Sequence, residues 1–450
     1  MARGEWRVIA SRSLSVRRRS PLGAVRGPFR ADSSPSSQTA SDVLIEEVSL
    51  GESPRRAGWA RLSARISYEG EHPDARSVAN EELWFEVPPG HASALVARGD
   101  PFIAALAPLA ALRHESLRVQ APIDALLRDG VQEVTRVWQS WYPELSAVTI
   151  EGEALTSGRE TPGATASFFS GGVDSFFTAL RHAAGEGTPA TETIADLVLV
   201  HGFDIPIDNE PAFAHVEQSL ERAAAALGKR LVVVATNLRK TRFDDTDWSR
   251  VSHGAALAAV AHAVGGAYDA VLIGSSAGYR DLRFWGSHPL TDPMFTSSRT
   301  RVVHDGPAFM RVEKTQYVAR SPVAMEHLRV CWQSDDGRNC GACNTCYRTM
   351  LALDAINALD ACATFDRRML DLQQAGRIFC RHDYDVRQFG YVLELARANG
   401  RADIADAVQR SLTGSRSMHR KLRLVQRLAL RPGWHMRARA CERRLLEGWL

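Results

Sequence analysis

The stretch FFSGGVDSFF, residues 168–177, decides the fold. Aromatic pairs flank a short loop, Ser170-Gly171-Gly172-Val173-Asp174-Ser175. Upstream, ATASFF reads as a strand; downstream, SFFTALRHAA reads as a helix. The loop therefore sits where a strand ends and a helix begins. Gly171 and Gly172 permit backbone conformations and close approaches that side chains forbid. The helix that follows offers unpaired N–H groups and the positive end of its dipole. Such a turn is an anion site suited to phosphate. Ser170 and Ser175 add hydroxyl donors. Asp174 would repel a bare phosphate, so its presence points to a bridging Mg²⁺.

Outward from the loop, strand and helix patterns alternate. ADLVLVHG is a second strand, followed by the amphipathic helix PAFAHVEQSLERAAAALG, which ends at Gly228. RLVVVAT is a third strand, HGAALAAVAHAVGG a helix of small residues, and DAVLIGSS a fourth strand. Apolar strands alternating with helices predict an α/β fold, a doubly wound parallel sheet covered on both faces. This unit is expected over 161–365. Residues 42–155 read as an N-terminal α+β domain. Its strands are VLIEEVSL, WARLSARISY and ELWFEV, and its helices include DPFIAALAPLAALR, interrupted by Pro108. Trp138, Trp141 and Tyr142 read as core aromatics. Residues 1–41 read as a disordered basic tail ending in a linker, and 366–450 as a helical, basic C-terminal region.

A chain of 450 residues is expected to hold two or three domains. Its formal charge of +3 makes the whole molecule no obvious nucleic-acid binder, although both ends are basic. No stretch approaches the roughly 18 apolar residues of a membrane span, and the N-terminus lacks the apolar core of a secretory signal. Its Arg- and Ser-rich composition is shared with organellar transit peptides, but a basic tail is the simpler reading. Seven cysteines, an odd number, argue against a secreted disulfide framework, so a cytoplasmic location is expected.

The loop is neither a dinucleotide fingerprint nor a Walker loop. It resembles, at all six positions, the pyrophosphate loop of the N-type ATP pyrophosphatases, whose fold is the adenine nucleotide alpha hydrolase type. The resemblance implies that ATP is split between its α and β phosphates. A substrate oxygen is adenylated, and a nitrogen or sulfur nucleophile then displaces AMP. It assigns Ser170, Gly171, Gly172, Val173, Asp174 and Ser175 to ATP, with Asp174 catalytic through Mg²⁺. Asp204, just past the second strand, could hold ribose or metal, or could equally cap a turn.

CWQSDDGRNCGACNTC sets Cys331, Cys340, Cys343 and Cys346 in a C-x8-C-x2-C-x2-C array. Four thiolates complete a tetrahedral Zn²⁺ shell and leave no open position, so the zinc would be structural. An iron–sulfur cluster is the rival. Cys362, Cys380 and Cys441 fit no such spacing. Loop and array together resemble the 7-cyano-7-deazaguanine synthases of queuosine and deazapurine biosynthesis, over about residues 164–355. That resemblance places Lys314, in RVEKTQYV, on a catalytic lysine position, and Arg348 on a later arginine. It stops at GYRDLRFWGSHPLTDPMFTSSR, where the family's Pro-Asp-Cys-Arg core is missing and His288, Asp292 and Arg299 offer other polar groups. The fold and ATP chemistry carry over; the deazapurine substrate does not.

The expected function is an ATP-dependent C–N ligase. It would take a small-molecule carboxylate and an ammonia or amine donor, and form pyrophosphate and AMP. Two alternatives stay open. One is sulfur transfer to a nucleic-acid base, favoured by the basic ends. The other is a protein-conjugating or partner-binding module using residues 42–155. The sequence leaves homo-oligomerisation open.

Overall fold

In the computed structural model, residues 42–69, 80–156, 158, 162–186, 193–429 and 445 are described. The expected tail over 1–41 and Cys441 lie outside them, as does most of the basic end beyond Ala429. The N-terminal region contains β1 (Asp42–Glu52), β2 (Ala60–Tyr68), β3 (Asn80–Val87), α1 (Asp100–Arg113), β4 (Ser116–Val119), β5 (Ile123–Asp124), α2 (Ala125–Trp141), β6 (Ile150–Glu151) and β7 (Ala154–Leu155). Then come β8 (Ala164–Phe168), α3 (Val173–Ala183), β9 (Ile194–His201), α4 (Glu210–Ala226), β10 (Arg230–Thr236), α5 (His253–Ala263), β11 (Tyr268–Gly274) and β12 (Arg301–Asp305). The chain closes with α6 (Arg311–Val318), α7 (Pro322–His327), α8 (Asn344–Ala355), α9 (Leu372–Ala375), α10 (Asp383–Ala398) and α11 (Ala402–Ala429).

Ten strands share one mostly parallel sheet, ordered β12-β11-β8-β9-β10-β3-β2-β1-β4-β6. From β12 to β10 every pairing is parallel. Side chains alternate between the two faces, and the cores follow that alternation. Leu197, Leu199, Ala270 and Leu272 belong to one cluster with α3, α4 and the C-terminal helices. Val198, Val234, Val271 and Ile273 belong to the other, with α1, α2 and α5. The sheet is thus covered on both faces, as apolar strands require.

The regions read separately from the sequence are joined through this sheet. β3 pairs antiparallel with β10, Phe85 opposite Thr236 and Glu86 opposite Ala235. β1, β2 and β3 form an antiparallel meander, and β4 and β6 extend it in parallel. Strand β12 carries no strong apolar run and was not anticipated. Pro108 does not break α1, which runs on to Arg113. An interior proline costs about 3 kcal/mol, but α1 is buried along nearly its whole length against the sheet and the small residues of α5. Packing therefore outweighs the lost bond. Among the described residues no helix is long and apolar enough to cross a membrane.

The strand order places the SGGVDS loop. The chain runs β8, β9, β10 in one direction, then crosses back to lay β11 on the other side of β8. Connections diverge at the β8/β11 boundary, which opens a crevice beyond the C-terminal strand ends. The loop Ser170–Gly172 occupies that end of β8.

Candidate functional site

Gly171 adopts φ +76°, a left-handed turn that favours glycine. Its carbonyl accepts the Arg329 N–H at 2.8 Å, which anchors the loop to the chain leading into the cysteines. Gly172 is the N-cap of α3 and no side chain caps the helix, so its first turn is open towards the cleft. Val173 contributes backbone only, since its side chain is in the core. The Ser175 hydroxyl donates to the Gly172 carbonyl at 3.0 Å and stiffens the turn, rather than facing the cleft as a free donor. Ser170 is exposed at the cleft wall.

The cleft has a volume of about 380 Å³. Its lining includes Ser170, Gly172, Asp174 and Asp204 from the strand ends, joined by Arg311, Arg329 and Arg348. Arg311 donates to Asp174 Oδ2, and Lys314 Nζ lies 3.6 Å from Asp174 Oδ1. Lys314 is almost wholly buried and donates to the Ser275 carbonyl. Burial pushes its pKa down, with Asp174 opposing and Arg311 adding to the fall. Burial also lowers the pKa of the half-buried Arg348, reinforced by the charge of Arg311. Asp204 is exposed and faces Arg329 across 3.9 Å.

Trp248, His253, Trp285 and Tyr384 complete the walls. Trp248 begins a π-helical turn that runs to Ser252, a distortion common at functional sites. His253 Nδ1 lies 2.9 Å from the Trp248 carbonyl, so that nitrogen carries the proton and Nε2 is the acceptor. Desolvation holds the His253 pKa below its usual value.

The four cysteines converge. Their sulfurs all lie within 4.8 Å of one another, with Cys331–Cys343 and Cys340–Cys346 both at 3.9 Å. A tetrahedral zinc–thiolate shell with bonds near 2.3 Å needs sulfurs about 3.8 Å apart. Backbone N–H groups of Ala342 and Cys343 point at Cys340 Sγ, and that of Cys346 points at Cys343 Sγ, all at 3.4 Å. Gly341, φ +69°, makes the turn. The donor set fits a metal ion such as zinc. The cluster also borders the cleft, because Cys331 lines it and Cys343 caps α8, the helix that carries Arg348. Cys362 and Cys380 are buried apart from it.

His288, Asp292 and Arg299 are not among the cleft's lining residues. Asp292 is fully buried and ties its own loop together, accepting from Ser287 Oγ at 2.6 Å and pairing with His304 Nδ1 at 2.7 Å. From that segment the cleft takes Arg283 and Trp285 instead. Arg311 had a local signal that the sequence reading missed, since it stands three residues before Lys314 on one face of α6. Arg283, Arg329 and Tyr384 had none, because each reaches the cleft through tertiary packing. Trp138 is wholly buried and Tyr142 nearly so, while Trp141 stacks on Phe284 at 5.0 Å.

Comparison of the chain with family models, with curated proteins and with solved structures gives no match.

Proposed function

We propose that the protein is an ATP-dependent C–N ligase of the pyrophosphate-loop type, similar to the 7-cyano-7-deazaguanine synthases in its nucleotide chemistry. One observation carries the reading. The SGGVDS loop lies at the strand-order reversal of a parallel sheet, and four arginines from separate segments line the cleft it faces.

In this reading the amides at the start of α3 and the Arg311 and Arg329 guanidiniums hold the β and γ phosphates of ATP. Asp174 Oδ1 is buried in the cleft with no hydrogen bond and only Lys314 near it, at 3.6 Å, which leaves the oxygen able to ligate a further cation. Mg²⁺ bound there would neutralise charge on the departing pyrophosphate. A substrate carboxylate oxygen attacks the α phosphorus, the bond to the β-phosphate oxygen breaks, and pyrophosphate leaves. Ammonia or an amine then attacks the acyl carbon. The bond to the AMP oxygen breaks, and the nitrogen gives up a proton. Lys314 stabilises negative charge that develops around the α phosphate. A zinc ion held by the four thiolates would be structural and would brace the start of α8. Convergence of all four clustered thiols leaves a sulfur-transfer reading without a free cysteine there.

Pyrophosphate exchange into ATP, measured across candidate carboxylates, tests this. Exchange is expected in the wild type and lost in Asp174→Ala. Exchange that survives in that variant would overturn the loop's role.

A further inference from the structure

The cleft holds a second cationic group that the phosphate site does not use. Arg283 lies on the segment after β11. Its guanidinium carbon is 3.9 Å from the centroid of the Trp285 ring and 3.5 Å from that of Tyr384. Arg348, arriving from α8, approaches the same Tyr384 ring at 5.8 Å. The Nε of each arginine is buried and has no hydrogen-bond partner. Among the described residues neither guanidinium forms an ion pair.

A guanidinium stacked between rings has its faces covered, so its N–H donors project only from its edge. That edge matches the planar fork of a carboxylate. Two partly desolvated like charges around one ring also repel each other; Asp385 offsets this only in part, and an anion between them relieves both. The arrangement is held rigidly. Tyr384, Arg387, Gln388 and Tyr391 recur on one face of α10. Gln388 and Tyr391 donate to Asp281 at 3.0 and 3.1 Å, Arg387 pairs with it at 3.1 Å, and Tyr384 donates to the Ser276 carbonyl at 3.3 Å. Arg283, two residues beyond Asp281, is thereby fixed in position. Trp248 and Trp285 line the same cleft, so the organic body of a ligand meets indole rather than charge.

We propose that Arg283 and Arg348 form a carboxylate subsite, separate from the phosphate site at Ser170–Asp174, which receives an acceptor substrate with a planar or aromatic body. The inference rests on the reading of Ser170–Asp174 as the nucleotide's phosphate site and names the second substrate's chemistry.

Ligand-observed NMR on the full chain, with benzoate and Mg-ATP as probes, tests it. Benzoate is expected to bind the wild type, and Mg-ATP is expected not to displace it. Arg283→Gln and Arg348→Gln should each weaken benzoate by about tenfold while changing Mg-ATP affinity less than about threefold. Arg283→Lys keeps the charge but loses the planar fork, so it should also lose benzoate, with its thermal midpoint showing whether the fold is intact. No benzoate binding in the wild type, unchanged binding in the variants, or displacement by Mg-ATP would overturn the subsite. Arginine-dependent benzoate binding in a protein that binds no Mg-ATP would support the subsite and overturn the nucleotide reading.

Discussion

Lys314 Nζ stands 3.6 Å from Asp174 Oδ1, and Arg311, one helical turn away on α6, holds the other oxygen of the same carboxylate. One acid therefore faces two cations beside the Ser170–Gly172 turn. Asp174→Asn removes the counter-charge from both. We expect a loss of about 1–3 kcal/mol in urea unfolding, below the full cost of breaking a buried pair because the cleft admits water. The binding signature is sharper. Without Mg²⁺ the variant should bind ATP more tightly than the wild type, because a repelling carboxylate is gone. With Mg²⁺ the order should reverse. Calorimetric titration of ATP with and without the metal checks both signs.

The cysteine cluster should carry about one zinc per chain, read by elemental analysis of the purified protein. Cys346→Ser should lose the metal. Because Cys331 follows Arg329, whose N–H holds the Gly171 carbonyl and whose side chain lines the cleft, pyrophosphate affinity should fall with it. Iron with visible absorbance in place of zinc would contradict the closed-shell reading.

His201 gives a pH signature. Its ring is buried and stacks on Phe213 at 3.8 Å between ring centres. Arg56 donates to its Nδ1 at 3.1 Å, and its Nε2 donates to the Pro206 carbonyl at 3.2 Å. Desolvation first, and Arg56 in part, push its pKa down to about 4 against the opposing pull of Glu210. The unfolded chain, with a pKa near 6.5, thus binds the proton more readily. This residue's contribution is complete above about pH 6.5 and is lost as pH falls towards 4, amounting to about 1–2 kcal/mol by pH 5. His201→Gln should flatten the fall of the thermal midpoint between pH 7 and pH 5.

Asn237 closes the seam between the antiparallel and parallel halves of the sheet. Its Oδ1 accepts from Trp84 N–H at 2.9 Å and its Nδ2 donates to the Glu82 carbonyl at 2.7 Å. Beside it, Thr236 Oγ1 donates to the Trp84 carbonyl at 2.8 Å. Asn237→Ala strands two backbone groups of β3 and should cost about 1–3 kcal/mol. Since one sheet runs through both regions, unfolding of the wild type should remain a single transition by circular dichroism and by tryptophan fluorescence.

The hexapeptide loop, the cysteine spacing and the central β–α alternation were legible because each is local. A glycine turn before a helix makes an anion site from adjacent backbone groups, and C-x2-C steps bring thiols together within one turn. The helix break expected at Pro108 was a local argument that burial overrode. Strand β12 and the short strands β4 to β7 gave little signal, since edge and two-residue strands need no long apolar run.

The sequence alone therefore determined where a glycine turn would open a helix N-terminus, which four thiols could share an ion, and that apolar strands would be covered by helices. Tertiary structure alone decided that β3 completes the edge of β10, because backbone pairing is blind to side-chain identity and leaves no mark in composition. It also decided that Asp292 is buried in its own loop while Arg283, Arg311, Arg329, Arg348 and Tyr384 meet around one cleft. Those side chains are brought together by strand order and by the docking of α8 and α10, and the charge they concentrate exists only once the sheet has reversed direction beside β8.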